Sequence, residues 1–397
     1  MPKQVPQSAV EKLANLNKEQ EIWFDSSPLI LDKWIDSVVE KAPEDKRETL
    51  RAQLGRFYVK SKPEDSVLVG ITTNPPLSLD VIKQLLPEWE KEAKEIAEKH
   101  RNLSDKELFW RLYQRIVLRG AKMFEPIFKH THYKRGYLSG QVDPRILADT
   151  AEMLRQGISF NQQMRNVMIK MPGTKQGIYG IMLLTALGIP TNATLTFTLS
   201  QLIAVAEAVK QGLALARANG VDLSQWKSVV THMLGRYEDN PEFDIQAKAV
   251  GVEISETDRR WAGLAIFKKA YKIYKERHYE SKLLAASMRI GPVINGKKRV
   301  WHVEKIAGGD IVLTIFPNIF EAWLENYEGE DIKSYIDEPV PQDVVNKLLK
   351  VPYFREAYEE GAQKPEDFIN HPAVIATGSA FAKTADDLED FIVKKKK

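Results

Sequence analysis

Eight short apolar runs, separated by longer amphipathic stretches, constrain this chain more than any other feature. The runs are Glu21–Asp25, Ser66–Thr73, Gly136–Val142, Val167–Met171, Thr191–Phe197, Ser228–Leu234, Lys282–Met288 and Asp310–Phe316. Short apolar runs closed by turn residues read as buried strands. Helical patterns lie between them, at Pro28–Lys41, Leu79–His100, Asp105–Lys129, Pro144–Gln156, Gln176–Leu187, Leu199–Asn219 and Asp258–Arg277. In Leu199–Asn219, for example, Leu202, Val205, Ala206, Val209 and Leu213 keep a helical period. Alternating strands and helices imply a parallel sheet, and eight such units can close into a (β/α)8 TIM barrel of the α/β class. An open doubly wound sheet would place a glycine-rich phosphate turn after its first strand. Here that strand runs into Asp25-Ser26-Ser27-Pro28, with no glycine.

The expected barrel accounts for residues 1–324. The remaining length falls in two places: a double-helix stretch from His100 to Lys134, giving extra helices before the third strand, and a tail over 325–397. Pro339, Pro341, Pro352 and Pro365 punctuate that tail, between short helical patterns such as Gln342–Leu349 and Ala385–Val393. It reads as a helical C-terminal extension packed on the barrel. With 57 basic and 54 acidic residues the formal charge is only +3, so neither a nucleic acid nor a membrane is expected as a partner. The closing run Lys394–Lys397 reads as a solvated tail. There is no cysteine, which excludes disulfides and thiolate metal sites, and no His pair has the spacing of a zinc-protease helix. No apolar signal core and no membrane-spanning stretch is visible, so a cytoplasmic protein is expected. A homo-oligomer is compatible with all of this.

Within the fourth run, Val167-Met168-Ile169 leads into Lys170, and Pro172-Gly173 follows at once. Burying an unpaired ammonium is expensive, so desolvation lowers its pKa and yields a neutral amine able to attack a carbonyl. The plainer reading is a lysine that snorkels to the rim. Active sites of such barrels lie at the C-terminal strand ends. There the chain delivers Asp25; Thr72, Thr73 and Asn74; Gln141 and Asp143; Lys170; Asn192, Thr194 and Thr196; Thr231, His232 and Arg236; Ser287 and Arg289; and finally Pro317-Asn318. Two arginines and a serine from adjacent strands suit a phosphate clamp. Asn192 and Thr194 are two apart, so both face the interior, where polar groups need partners.

These motifs resemble the transaldolase family of Schiff-base enzymes. The matching pieces are Ile22-Trp23-Phe24-Asp25, Gly70-Ile71-Thr72-Thr73-Asn74-Pro75, Val142-Asp143-Pro144-Arg145, Asn166 to Thr174, Gly188 to Thr198, Gly235-Arg236 and Leu283 to Arg289, over roughly residues 20 to 320. The resemblance implies transfer of a dihydroxyacetone unit between sugar phosphates, from sedoheptulose 7-phosphate to glyceraldehyde 3-phosphate, giving erythrose 4-phosphate and fructose 6-phosphate. It assigns the imine to Lys170 and C4-hydroxyl deprotonation to Asp25. Thr194 would place a catalytic water, and Thr72, Asn74, Asn192 and Thr231 would bind substrate. Arg236, Ser287 and Arg289 would hold phosphate. No metal or cofactor is implied, since the iminium is the electron sink.

One position departs from the family. A glutamate normally precedes the Val-Asp-Pro-Arg element and relays protons through water; here it is Gln141, whose amide can only orient that water. Glutamine there resembles the fructose 6-phosphate aldolases, which release dihydroxyacetone. Those relatives also carry a tyrosine on the sixth strand, where this chain has Met233. Thr231 stands where a serine is usual. His232 could replace the missing proton carrier only if strand alternation turned it inward. The alternatives to transaldolase-type transfer are therefore an aldolase of that kind, or a sugar-phosphate-binding protein without turnover.

Overall fold

The computed structural model describes residues 5–396. Residues 1–4, at the start of the expected barrel domain, and Lys397, the last of the basic run, lie outside the described residues. The strands are β1 (Glu21–Asp25), β2 (Leu68–Thr72), β3 (Tyr137–Gln141), β4 (Val167–Pro172), β5 (Thr191–Thr194), β6 (Ser228–Met233), β7 (Lys282–Ala286), a two-stranded hairpin of β8 (Val293–Ile294) and β9 (Lys297–Lys298), and β10 (Val312–Ile315). All but the hairpin form one closed parallel barrel in the order β1-β10-β7-β6-β5-β4-β3-β2. The expected barrel is therefore the observed one, each barrel strand falling in its expected run except that β4 continues one residue further, to Pro172.

Alternation along each strand divides the core into two layers. On β4, Val167, Ile169 and Met171 pack outward into the large cluster between barrel and helices, while Met168 joins an inner cluster with Trp23, Tyr137, Val229, Leu284 and Val312. That inner cluster fills the lower barrel. Gly70 makes room for it, because a Cβ there would fall 2.3 Å from the Trp23 ring. Below it, Glu21 accepts hydrogen bonds from Lys227 at 2.6 Å, Lys282 at 3.0 Å and the Trp23 indole at 3.0 Å. Above it, the inward positions turn polar: Asp25, Thr72, Gln141, Lys170, Asn192, Thr231 and Thr314 are all buried.

The helices depart from expectation where side-chain pattern and backbone chemistry disagree. The Leu79–His100 pattern is two helices, Pro75–Gln84 and Leu86–Lys99. Pro87 lies in the first turn of the second, where its missing N–H costs nothing. The stretch expected as a double helix before β3 is one helix of 26 residues, Asp105–His130, which tolerates Pro126. Helix Glu44–Gly55 was invisible to periodicity because it buries only Leu54. The last helix runs over Pro372–Val393, far longer than the Ala385–Val393 pattern, because its first half approaches the barrel through small residues such as Ala373, Thr377 and Gly378. The basic run is also less free than expected: Lys395 reaches Glu90 at 2.7 Å and Lys396 reaches Asp105 at 3.1 Å.

This last helix crosses the C-terminal end of the barrel. It packs on Pro75–Gln84, on the turn Pro144–Ile146 and on Asp105–His130. Arg145 fastens it, donating to Asp386 and Glu389 while also holding Asp143 at 2.8 Å. Among the described residues no helix is long and apolar enough to cross a membrane.

Candidate active site

The C-terminal strand ends surround a cavity of about 380 Å³. Asp25, Thr72, Asn74, Lys170, Thr194, Thr231, Arg236, Ser287 and Arg289 all line it. A larger cleft of about 740 Å³ opens on the outside of the helical shell, but no strand-end residue reaches it. Size therefore does not identify the site; the convergence of strand ends does.

Lys170 stands on the inner face of β4, 5% exposed, and among the described residues its side chain makes one long hydrogen bond of 3.4 Å, to the carbonyl of Thr73. Burial lowers its pKa to about 8, against the opposing pull of the Asp25 carboxylate and with help from Arg236. Asp25 ends β1 and accepts the Thr72 hydroxyl at 2.7 Å. Burial raises its pKa to about 6, although Lys170, Thr72 and Arg236 all pull the other way. The two groups feel each other across the cavity without forming an ion pair. At neutral pH a usable fraction of Lys170 is free amine while Asp25 is mostly carboxylate. That combination suits a nucleophilic amine with a general base opposite.

Register explains the surroundings of the lysine. Gln141, Lys170 and Asn192 are direct neighbours across β3, β4 and β5. Asn192 donates to Ser139 at 2.9 Å and accepts from Thr231 at 2.7 Å. Gln141 is 2% exposed, and among the described residues its side-chain oxygen has no hydrogen-bond partner. Both flank the root of Lys170, and neither forms the wall of the cavity. Thr194 does, and touches the Met233 sulfur at 3.8 Å. Asn74 caps helix Pro75–Gln84, accepting the Leu77 N–H at 3.0 Å.

The two arginines are held differently. Arg289 donates to Asp239 at 2.7 Å and to the carbonyls of Ser287 and Met288. Ser287 adopts φ of 58° just past β7, and its carbonyl accepts the Gly235 N–H at 2.9 Å. Gly235 is needed there, since a Cβ would sit 2.3 Å from that carbonyl and 2.7 Å from the Arg289 guanidinium. Arg236 has neither a carboxylate partner nor a hydrogen bond among the described residues. Burial depresses its pKa, and neighbouring Arg289 adds to this. Such a guanidinium has unspent capacity for an anion.

His232 does not belong to the site. It points outward toward Tyr237 and Phe267, with the backbone of Gly263 and Thr196 nearby, and burial drives its pKa down to about 3. The eighth barrel strand also contributes differently from expectation. Asn318 starts a helix, Pro317–Tyr327, and the cavity instead receives Thr314 and Phe316. Thr314 shares a hydrogen bond with Thr72. Its signal was present: a lone threonine on the inner face of an apolar strand. Asp80, Leu77 and Phe381 also line the wall. Phe381 comes from the last helix and gave no sequence signal at all. Among the described residues no three His, Asp or Glu side chains gather as a metal site would require.

Comparison with known proteins agrees with this geometry. Residues 54–360 match the family model described as Transaldolase/Fructose-6-phosphate aldolase. A transaldolase of Arthrobacter sp. (strain FB24) is 30% identical over 228 residues, 57% of this chain and 60% of that protein. One from Kocuria rhizophila is 32% identical over 212 residues, covering 53% and 56%. One from Thiobacillus denitrificans is 30% identical over 219 residues, covering 54% and 58%. The chain thus spans a little over half the length of these relatives. The family match nonetheless covers most of the barrel, including Lys170 and both arginines, and the chain belongs to the transaldolase/fructose-6-phosphate aldolase family.

Proposed function

We propose that this protein transfers a dihydroxyacetone unit from a ketose phosphate to an aldose phosphate through an imine on Lys170. The observation that carries the reading is the pair of desolvated groups, Lys170 near 8 and Asp25 near 6, facing one cavity without neutralising each other. The free amine of Lys170 adds to the C2 carbonyl, and loss of water gives the iminium. Asp25 takes the proton from the C4 hydroxyl. The C3–C4 bond then breaks, its electron pair flows toward the iminium nitrogen, and an aldose phosphate leaves. The enamine on Lys170 attacks the carbonyl carbon of a second aldose phosphate. Asp25 returns its proton to the new hydroxyl, and water releases the product ketose.

In this reading Arg236 and Arg289, with Ser287, hold the phosphate. Thr72 fixes the Asp25 carboxylate, Asn74 and Thr231 meet the substrate, and Asn192 holds Thr231 in place. Thr194 and Gln141 orient water beside the lysine. The Gln141 side-chain oxygen supports this, being a buried acceptor without a donor among the described residues, on the strand position paired with Lys170. Sugar phosphates in the cytoplasm are the substrates of this reading.

Gln141 also favours a second reading, in which dihydroxyacetone is released. An amide cannot relay the proton that a glutamate would, and glutamine at this place resembles the fructose 6-phosphate aldolases, which release dihydroxyacetone. One experiment separates the readings. Fructose 6-phosphate is supplied with and without erythrose 4-phosphate, and the protein is treated with borohydride. Transfer requires mass added to the Lys170 peptide and product formed only with the acceptor. Free dihydroxyacetone without acceptor favours the aldolase. A label on another lysine, or none, sinks the Schiff-base assignment.

A further inference from the structure

Phe381 is 1% exposed, lies on the last helix, and is the only part of that helix on the cavity wall. Its ring lies 5.1 Å from the Arg236 guanidinium. The helix reaches this place across the barrel mouth, fastened by Arg145 to Asp386 and Glu389. Gly378, one turn earlier, lets it come close: a Cβ there would meet Leu147 at 3.1 Å.

We propose that Phe381 determines selectivity for phosphorylated substrates by holding Arg236 at the cavity wall with its N–H donors free of any contacting carboxylate among the described residues. This rests on the phosphate role given to Arg236 above. The contrast with Arg289 carries the inference. A carboxylate, Asp239, orients Arg289 and spends part of its charge. An aromatic face orients a guanidinium through its quadrupole and leaves the charge and the N–H donors free. A half-buried cation that feels Asp25 only at a distance is costly, and the ring offsets some of that cost without competing with an incoming anion. The same ring excludes water from one side of the guanidinium, which strengthens the pair formed with a phosphate.

Calorimetry on the full chain tests this with glucitol 6-phosphate, which has no carbonyl and cannot react, and with glucitol. Phe381→Leu keeps an apolar group but loses the ring face. It should weaken glucitol 6-phosphate by about three- to thirtyfold, the range of a partly desolvated cation–π contact. Glucitol binding should not change, and Phe381→Tyr should restore the parent affinity. Thermal unfolding of each variant shows whether the helix remains docked, and Phe381→Met is the second ring-free variant should leucine fail to fold. The proposal is overturned if the ring-free variants bind like the parent, if both ligands weaken equally, or if the parent does not prefer the phosphorylated ligand. Borohydride labelling of Lys170 is a separate readout: its failure removes the Schiff-base reading and leaves the Phe381 result to stand or fall alone.

Discussion

The two ends of the barrel each bury a carboxylate near basic side chains, and they do opposite things with it. At the floor, burial alone would raise Glu21, but Lys227 and Lys282 hold it down at about 2 through direct hydrogen bonds and charge. At the mouth, burial raises Asp25 to about 6, because Lys170 stands off rather than pairing. Desolvation is the leading influence at both ends; contact geometry decides which way the balance falls. The floor is a satisfied ion cluster. The mouth keeps its charges apart and poorly compensated, as a site that must bind and release protons requires.

The sharpest way to break this comparison is to remove Glu21. Glu21→Gln leaves two buried lysines without their carboxylate and should destabilise the fold by about 3–5 kcal/mol, measured by denaturant unfolding. A loss no greater than that of a surface substitution would show that the floor cluster is not structural. At the mouth, Arg236→Met should weaken phosphorylated ligands by about 2–5 kcal/mol and leave unphosphorylated ones unaffected. Equal losses for both would make Arg236 a structural cation like those of the floor.

Gln141→Glu adds a carboxylate beside Lys170 and so makes the mouth resemble the floor. Because this glutamate can relay protons, acceptor-dependent transfer should rise severalfold, within the roughly 10²–10⁴ that general acid–base help supplies. Its pH profile should gain a carboxylate limb. A slower mutant would mean that an ion pair with Lys170 has formed instead, and that the amide is tuned to another reaction.

The pH dependence separates the two ends directly. A depressed Glu21 contributes stability that is complete above its ordinary value and lost as pH falls from about 4.5 through 2. Asp25, raised, contributes stability only below its ordinary value, and loses it as pH rises through about 6. Lys170, lowered, contributes only above its ordinary range and loses that as pH falls through about 8. Near neutrality both mouth residues therefore cost stability while the floor supplies it. Imine formation, measured by borohydride trapping against pH, should rise through about 6 as Asp25 ionises and through about 8 as Lys170 becomes neutral. A flat profile would remove one or both assignments. The smallest effect concerns Lys170→Met, which fills much of the same volume and removes a poorly compensated charge. Its unfolding midpoint should equal or exceed that of the parent, and a clear fall would mean that Lys170 is structural.

Much of the molecule is legible in the sequence because it depends on periods local to the chain. Eight apolar runs of strand length, with helical periods between them, dictate eight β/α units, and alternation alone sends Asp25, Lys170 and Thr194 inward. Strand-end chemistry then gathers the site, since the closed parallel barrel brings all those ends to one face. Contacts between distant segments were not legible. Nothing local separates Asp25 from Glu21, two carboxylates on one strand; only the positions of Lys227, Lys282 and Lys170 in space give them opposite pKa shifts. Thr314 was one alternation step from being read. Phe381 was not readable at all, because a buried aromatic on an amphipathic helix looks the same whether it packs on a core or on an arginine. Sequence periodicity therefore determined the barrel and the residues that face its axis, whereas tertiary structure decided which charges are compensated, because compensation depends on distances between segments that no local pattern encodes.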